Sequence, residues 1–526
     1  MLSLRQETES LVRELVGCAS IVGTAGEVDF ARQVFGFFTG LAYFKAHPQQ
    51  LIMQPTREDD HLRFNVIALV IGKAAARSDT LLLLGHMDTV GVEDYNKLSA
   101  LAFTPDELKK QIDTANLPDT VTAEIRDANW LLGRGILDMK SGLAAQMLAI
   151  KQAAENADTL NGNLLFLAEC DEEDNSRGVL SALPLLEELA QQYHLKLEGA
   201  INADYTAPRY QDDNSRYLYY GTVGKQLPAF YVVGKETHVG DPFGGLDPNY
   251  LAAHLVEQIS YNPAFCDVSQ NEFTMPPVTL KQTDFKPFYT VQTNISSLVY
   301  FNLAVHHWSP EAILTRMCAA AETSFREALE KLQSHYDAYC SQSSLPQQKL
   351  PWQPRVLTYK EMVDHATADH GEIFLHALEE YAIQLAQTPI DLREYNTAMV
   401  QFVWQWQQDK RPAIIVFFAS VYYPRIQLDR SNSRDNRLIH AVESAVSQSA
   451  DVLQPYHLEK RFFYPYISDA SFLSLSDNAP AISAYTDNYP AYLHKQRIDF
   501  DLIGRISMPV VNIGAYGKNA HQYLER

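Results

Sequence analysis

The sequence predicts an α/β fold in which a mostly parallel sheet carries an inserted, smaller α+β module. Three observations predict it. Short continuous apolar runs alternate with helical patterns, as in sheets buried on both faces. Several of these runs end in acidic or histidine clusters. From about residue 222 the pattern changes to strands with polar alternation, the mark of a sheet with one exposed face. At about 150 residues per domain, 526 residues suggest two to four domains.

Taken in order, residues 5–20 place Leu11, Val12, Leu15 and Val16 on one helical face. A second helix is predicted over Glu27 to Leu41. The strands follow: Phe64 to Val70, Thr80 to Leu84, Asn163 to Ala168, Gly199 to Ala203, and late in the chain Ala413 to Ser420 and Met508 to Gly514. Helical patterns at Ser141 to Ala154 and Val179 to Tyr193 lie between them. Ala229 to Val233, Thr290 to Ile295 and Leu298 to Val305 read as strands of the inserted module, with helices at Asn249 to Ile259 and Ser309 to Gln333. The reading gives 1–222 and 410–526 to one domain, 223–340 to the inserted module, and 341–409, with its prolines and FVWQWQQ, to an accessory insertion.

The composition is globular: 46% hydrophobic, 20% charged, 24 glycines and 25 prolines exclude a collagen, a disordered tail or a disulfide scaffold. The net charge of −21 comes with no basic stripe, which argues against a nucleic-acid partner. Five scattered cysteines without a CxxC favour a reducing compartment. The N-terminus mixes charged and apolar residues at helical spacing, unlike a secretory leader, and nowhere do 18 apolar residues run together. The expectation is a cytoplasmic protein with no membrane contact.

The chemistry-bearing residues fall at or beside strand tips, where open α/β sheets bind ligands. His86 and Asp88 follow one strand, Asp171, Glu172 and Glu173 another, and Asp204 a third. Asp138 precedes a helix in GRGILDMKSG, and His521 follows the last strand. Singly, each has a bland reading. A His-x-Asp after a strand commonly caps a helix, an acidic triplet is commonly a solvated turn, and one late histidine is commonly structural. The glycine-rich segment lacks the spacing of a phosphate loop. Their common placement is what points to a site.

The segments LLLLGHMDTV, GRGILDMKSG, FLAECDEED, NADYTAP and GKNAHQYLE resemble the metal-ligand motifs of the zinc metallopeptidases that include aminoacylase, carboxypeptidase and succinyl-diaminopimelate desuccinylase. They come in that family's order. VEDYNKLSALAFTPDEL and GTVGKQLPAFYVVGKETHVGDPFGGLDPN resemble an arginine-utilisation member.

The resemblance implies a catalytic domain with a lid (the inserted module) and a site for two Zn2+. His86 and Asp204 would ligate one ion, Glu173 and His521 the other, with Asp138 bridging. Asp88 would hydrogen-bond the outer nitrogen of His86, and Glu172 would be the general base. His238 would reach the substrate carbonyl from the lid, and Asn294 in QTNISS resembles a lid asparagine that reaches a neighbouring active site. The lid would pair two chains as a homodimer. Glu525 completes a His-x-x-x-Glu pattern, and Ser468 to Ser471 resembles a supporting turn. Ala304 stands where relatives place an arginine that grips a carboxylate.

Imidazole and carboxylate donors without thiolate suit a catalytic zinc site, and Co2+ or Mn2+ equally. The reaction so implied is hydrolysis of an amide or peptide bond in a small substrate, an N-acyl amino acid or short peptide, linked to arginine or ornithine catabolism. The alternatives are a non-catalytic metal- or ligand-binding relative and a single-metal hydrolase. Cys170 is read as inert beside its anionic neighbours, and His306-His307 as a surface pair.

Overall fold

Four apolar runs, Phe64–Ile71, Asp79–His86, Asn163–Glu169 and Lys196–Asn202, form the body of an eight-stranded sheet. The structure is a computed structural model that describes residues 3–57, 59–74, 78–454 and 456–526. Its first sheet runs Leu51–Pro55, Phe64–Ile71, Asn163–Glu169, Asp79–His86, Lys196–Asn202, Val510–Asn512, Arg216–Tyr219, Leu458–Arg461 from edge to edge. Asp79–His86 lies parallel to both of its neighbours, and Val510–Asn512 is parallel to Lys196–Asn202. Phe64–Ile71 is antiparallel to both of its neighbours, so one edge departs from the parallel core. Parallel strands need crossovers, and helices Ser141–Glu155 and Arg177–Gln192 supply them on either side of Asn163–Glu169.

Helix Leu4–Val16 begins in a capping box at Ser3 and Gln6. Its buried face is Leu11, Val12, Leu15 and Val16, the face the sequence predicts. These residues pack with Phe30, Val34 and Phe38 of helix Ala25–Thr39 and with Leu143 and Met147 against the sheet. Phe166, fully buried, meets Phe38 edge-on at 5.3 Å. Each such side chain contributes about 1.5–3 kcal/mol by leaving water.

The chain divides into two compact units: Met1–Thr222, Ile426–Leu475 and Asp501–Arg526 form the first, Val223–Arg425 and Ser476–Phe500 the second. The second has its own sheet in the order Val278–Asp284, Ser296–Val305, Pro228–Val233, Ala413–Phe418, Val356–Thr358, with Gly224–Gln226 also on Ser296–Val305. All but the last pair, Val356–Thr358 with Ala413–Phe418, are antiparallel.

This division departs from the boundaries drawn on sequence. Ala413–Phe418 was expected in the first sheet, yet it pairs with Pro228–Val233 in the second. Its six residues are all buried, and an apolar run reports burial on both faces without saying in which sheet. Residues 341–409 are an integral part of the second unit. Val356–Thr358 extends its sheet, and Met362, Phe374, Val400 and Val403 pack with Ala229, Tyr231 and Phe417. Residues 290–295 form no strand; the residue bridge there pairs His238 with Gln292. His306 is buried, not a surface residue, because the amides of residues 306, 307 and 308 all donate to the buried Asp267 carboxylate at 2.7–2.8 Å.

Among the described residues no helix is long and apolar enough to cross a membrane. The five cysteines are unbridged. Burial pushes the Cys170 thiol well above its ordinary value.

Candidate metal centre

The tips of three neighbouring strands supply the site. Asp79–His86 ends on His86, Asn163–Glu169 leads into Glu172 and Glu173, and Lys196–Asn202 leads into Asp204. Asp138 comes from the irregular turn Ile136–Lys140 at the start of helix Ser141–Glu155. Two glycines let that turn come close. Gly135 has φ +75°, and a Cβ there would lie 2.4 Å from Thr89 Cγ2. A Cβ on Gly142 would lie 2.0 Å from the carbonyl oxygen of Ala203, beside Asp204.

Asp138 is the hub. Its Oδ1 lies 3.0 Å from His86 Nε2, and its Oδ2 lies 3.0 Å from His521 Nε2. His521 Nε2 is also 2.9 Å from Glu173 Oε1. Ligand atoms of His86, Asp138 and Glu173 all fall within 4.8 Å of one another, a spacing that can hold a metal ion. Asp204 is buried, accepts from the amide of Tyr205 at 2.8 Å, and feels the charges of Asp138 and His86.

Asp88 takes a different part from the one expected. Its carboxylate lies 3.8 Å from His86 Nδ1, whereas its backbone carbonyl is the partner of that nitrogen at 3.0 Å. The carboxylate instead accepts the amides of Glu172 at 3.2 Å and Glu173 at 3.0 Å. It therefore fixes the acidic turn, not the imidazole. From below, the turn is held by Asp171, whose carboxylate pairs with buried Arg63 at 2.6 Å. Arg63 also pairs with Glu27 at 3.3 Å and Asp59 at 2.9 Å, so one guanidinium ties three buried carboxylates together under the turn.

The electrostatics follow from crowding carboxylates and imidazoles into one buried site. Burial opposes a charge on His86, yet the hydrogen bond to Asp138 and the charge of Glu172 raise it well above its ordinary value. His521 is pushed up to about 11, against burial, by its hydrogen bonds to Asp138 and Glu173. Asp138 is held below its ordinary value, against burial, by those same two histidines. Burial and then the Asp138 charge push Asp204 up to about 7. Burial also raises Glu173, against its hydrogen bond from His521. Glu172 is raised well above its usual range by burial, opposed by His86 and reinforced by Asp469, Glu173 and Asp204. Carboxylates and imidazoles crowded at one buried point, N/O donors without thiolate, fit divalent cations.

The remaining sequence candidates lie in the second unit. His238 is exposed, and its Nδ1 accepts from the amide of Gly240 at 3.0 Å. Asn294 is buried and spends its amide on Ser296 O and the amide of Ile295. Ala304 sits in Ser296–Val305 opposite Lys225. Sequence reasoning left Arg134 out of the site and gave Glu525 only a place in a pattern. Both are buried, and both act on the turn that carries Asp138. The offset of four residues between His521 and Glu525 was their visible signal.

Comparison with known proteins gives a consistent picture. Residues 82–503 match Peptidase family M20/M25/M40. Protein RocB of Bacillus subtilis (strain 168) is 31% identical over 527 aligned positions, covering 99% of this chain and 91% of that protein. Among solved structures, aminopeptidase PepT from Bacillus cereus ATCC 10987 aligns over 99% of this chain and 93% of its own, at 13% identity and a TM-score of 0.51. An M20 family metallo-carboxypeptidase from Sulfolobus solfataricus aligns over 99% and 94%, at 12% identity and a TM-score of 0.50. These two likenesses establish a shared fold.

Proposed function

The chain belongs to peptidase family M20/M25/M40, metal-dependent hydrolases of peptide or amide bonds, and from that premise we propose that it cleaves an N-acyl amino acid or short peptide at a dinuclear centre. The observation that carries this reading is the placement of Asp138, one carboxylate oxygen 3.0 Å from His86 and the other 3.0 Å from His521. A bridging carboxylate between two cations needs this two-sided arrangement.

In the proposal, His86 and Asp204 would hold one cation, Glu173 and His521 the other, and Asp138 would serve both. The favoured ion is Zn2+; Co2+ and Mn2+ suit the same donors. When bound, such ions acidify water and polarise a carbonyl. Glu172 takes a proton from the attacking water and delivers it to the leaving nitrogen, a role worth about 10²- to 10⁴-fold in rate. Its position next to Glu173, its half-buried setting and the Asp88 grip on its amide support that assignment. His238 donates a hydrogen bond to the developing oxyanion, a contact worth about 3 kcal/mol. Conjugates of arginine or ornithine are the first substrates to try, given the likeness to the arginine-utilisation member; that link is by analogy.

The test is a hydrolysis screen of N-acyl amino acids and dipeptides with and without a chelator, run on wild type and Glu172→Ala. The reading requires chelator-sensitive turnover in wild type and a variant that binds metal yet loses turnover. Near-normal activity of Glu172→Ala refutes it.

A further inference from the structure

Asp138 can face both histidines only if its backbone is held, and the turn that carries it is irregular. Inside Ile136–Lys140 the backbone leaves helical geometry at Asp138 and Met139, so the hydrogen bonds of a regular helix do not fix it. A single buried carboxylate takes their place. Glu525, with no exposed surface, accepts the amide of Leu137 at 3.1 Å and that of Asp138 at 3.2 Å on one oxygen, Oε1. Its other oxygen, Oε2, accepts from Arg134 Nη1 at 2.7 Å. Its backbone carbonyl accepts from the amide of Gly133 at 3.1 Å, so Glu525 grips the segment from 133 to 138 at both ends.

Arg134 is itself locked. It is 1% exposed, its Nε donates to Gly91 O at 3.0 Å, and its Nη2 donates to Asp94 at 2.8 Å. Glu525 therefore cannot rotate away without stripping Nη1 of a buried guanidinium of its carboxylate partner. Four residues before it in the same loop stands His521. One side chain thus sets two positions relative to each other, that of Asp138 directly and that of His521 through the short loop between them.

We infer that Glu525 is the positioning residue that aims the Asp138 carboxylate between His86 and His521. The inference rests on the dinuclear reading above, and it assigns Glu525 no contact with substrate or metal. Outer residues of this kind typically govern metal affinity by about 10- to 100-fold. Because Asp138 would serve both cations, loss of its aim weakens both positions together. Loss of His521 alone would weaken one.

The experiment is a zinc titration against a chromophoric chelator, with the melting temperature of the chelator-stripped protein measured in parallel. The variants are Glu525→Gln, Asp94→Asn and Arg134→Lys. An amide has one oxygen where the carboxylate has two. Glu525→Gln therefore turns a donor towards either the 137 and 138 amides or Arg134. It is expected to lower zinc affinity at both positions by about 10- to 100-fold. Asp94→Asn weakens the same ion network one step further from Asp138, and is expected to lower both affinities by less than Glu525→Gln does, whatever it does to the melting temperature. Arg134→Lys keeps the charge with a poorer grip on Oε2, and gives a smaller loss of the same two-site pattern. It decides the question should Glu525→Gln not fold. Unchanged zinc affinity in Glu525→Gln, or an equal loss in Asp94→Asn, overturns the inference. A wild-type protein that takes up no zinc overturns instead the dinuclear reading on which it rests.

Discussion

The two histidines of the cluster stand in opposite settings. His86 closes a strand in the interior of the sheet and is 2% exposed, with its outer nitrogen on a backbone carbonyl. His521 lies in a loop with left-handed backbone, φ +62°, and its side chain is 46% exposed. A strand tip flanked on both sides by parallel neighbours moves little, whereas loop segments belong to the less stable part of a fold. The contrast teaches that the two proposed cation positions would be unequal, one built by the sheet and one completed by a loop distant in sequence.

The largest effect that would break this comparison comes from His86→Ala. It removes the sheet-borne donor beside Asp138, and zinc uptake at the position it serves is expected to fall by at least about 100-fold. Retention of two zinc ions per chain would contradict the ranking. His521→Ala comes next. It is expected to lose one zinc by about 10- to 100-fold while the other stays bound, read as a stoichiometry near one by mass spectrometry of the native protein.

His86 and its strand were more legible in the sequence than the loop that carries His521. A run such as TLLLLGH combines a strand buried on both faces with a polar tip, and the order of five such fragments matches a known family. The rest depended on partners distant in sequence. Nothing local says that Ala413–Phe418 joins Pro228–Val233, because burial has the same signature in either sheet. The strands Arg216–Tyr219 and Leu458–Arg461 are four residues each and pair across more than two hundred positions. The grip of Asp88 on the Glu172 and Glu173 amides was hidden for a further reason. A side-chain-to-backbone bond leaves no constraint on the identity of the residues that donate it.

A subtler change sharpens the comparison by sparing both histidines. Asp88→Asn replaces one of the two acceptor oxygens under the Glu172–Glu173 turn by a donor. Turnover is expected to fall by about 10- to 100-fold with zinc content unchanged. Turnover per bound zinc left intact would contradict the assigned grip of Asp88 on the Glu172 amide.

The smallest effect is a pH dependence. In the cation-free chain Asp204 is held up to about 7 and His521 up to about 11, so near neutrality the cluster carries protons that a cation must displace. Zinc uptake therefore releases protons, and apparent affinity rises with pH. The sign for the stripped protein is the reverse. A folded-state value above the unfolded one gives stability that is present at low pH and lost as pH rises, through about 7 for Asp204. Calorimetric titrations in buffers of different ionisation enthalpy read the proton count directly. Zinc binding without proton release would contradict these assignments.

The most direct measurement is anomalous diffraction at the zinc edge from zinc-loaded crystals. The account predicts two peaks flanking the Asp138 carboxylate, one beside His86 and Asp204 and the other beside Glu173 and His521. A single peak, or zinc bound away from Asp138, would contradict it.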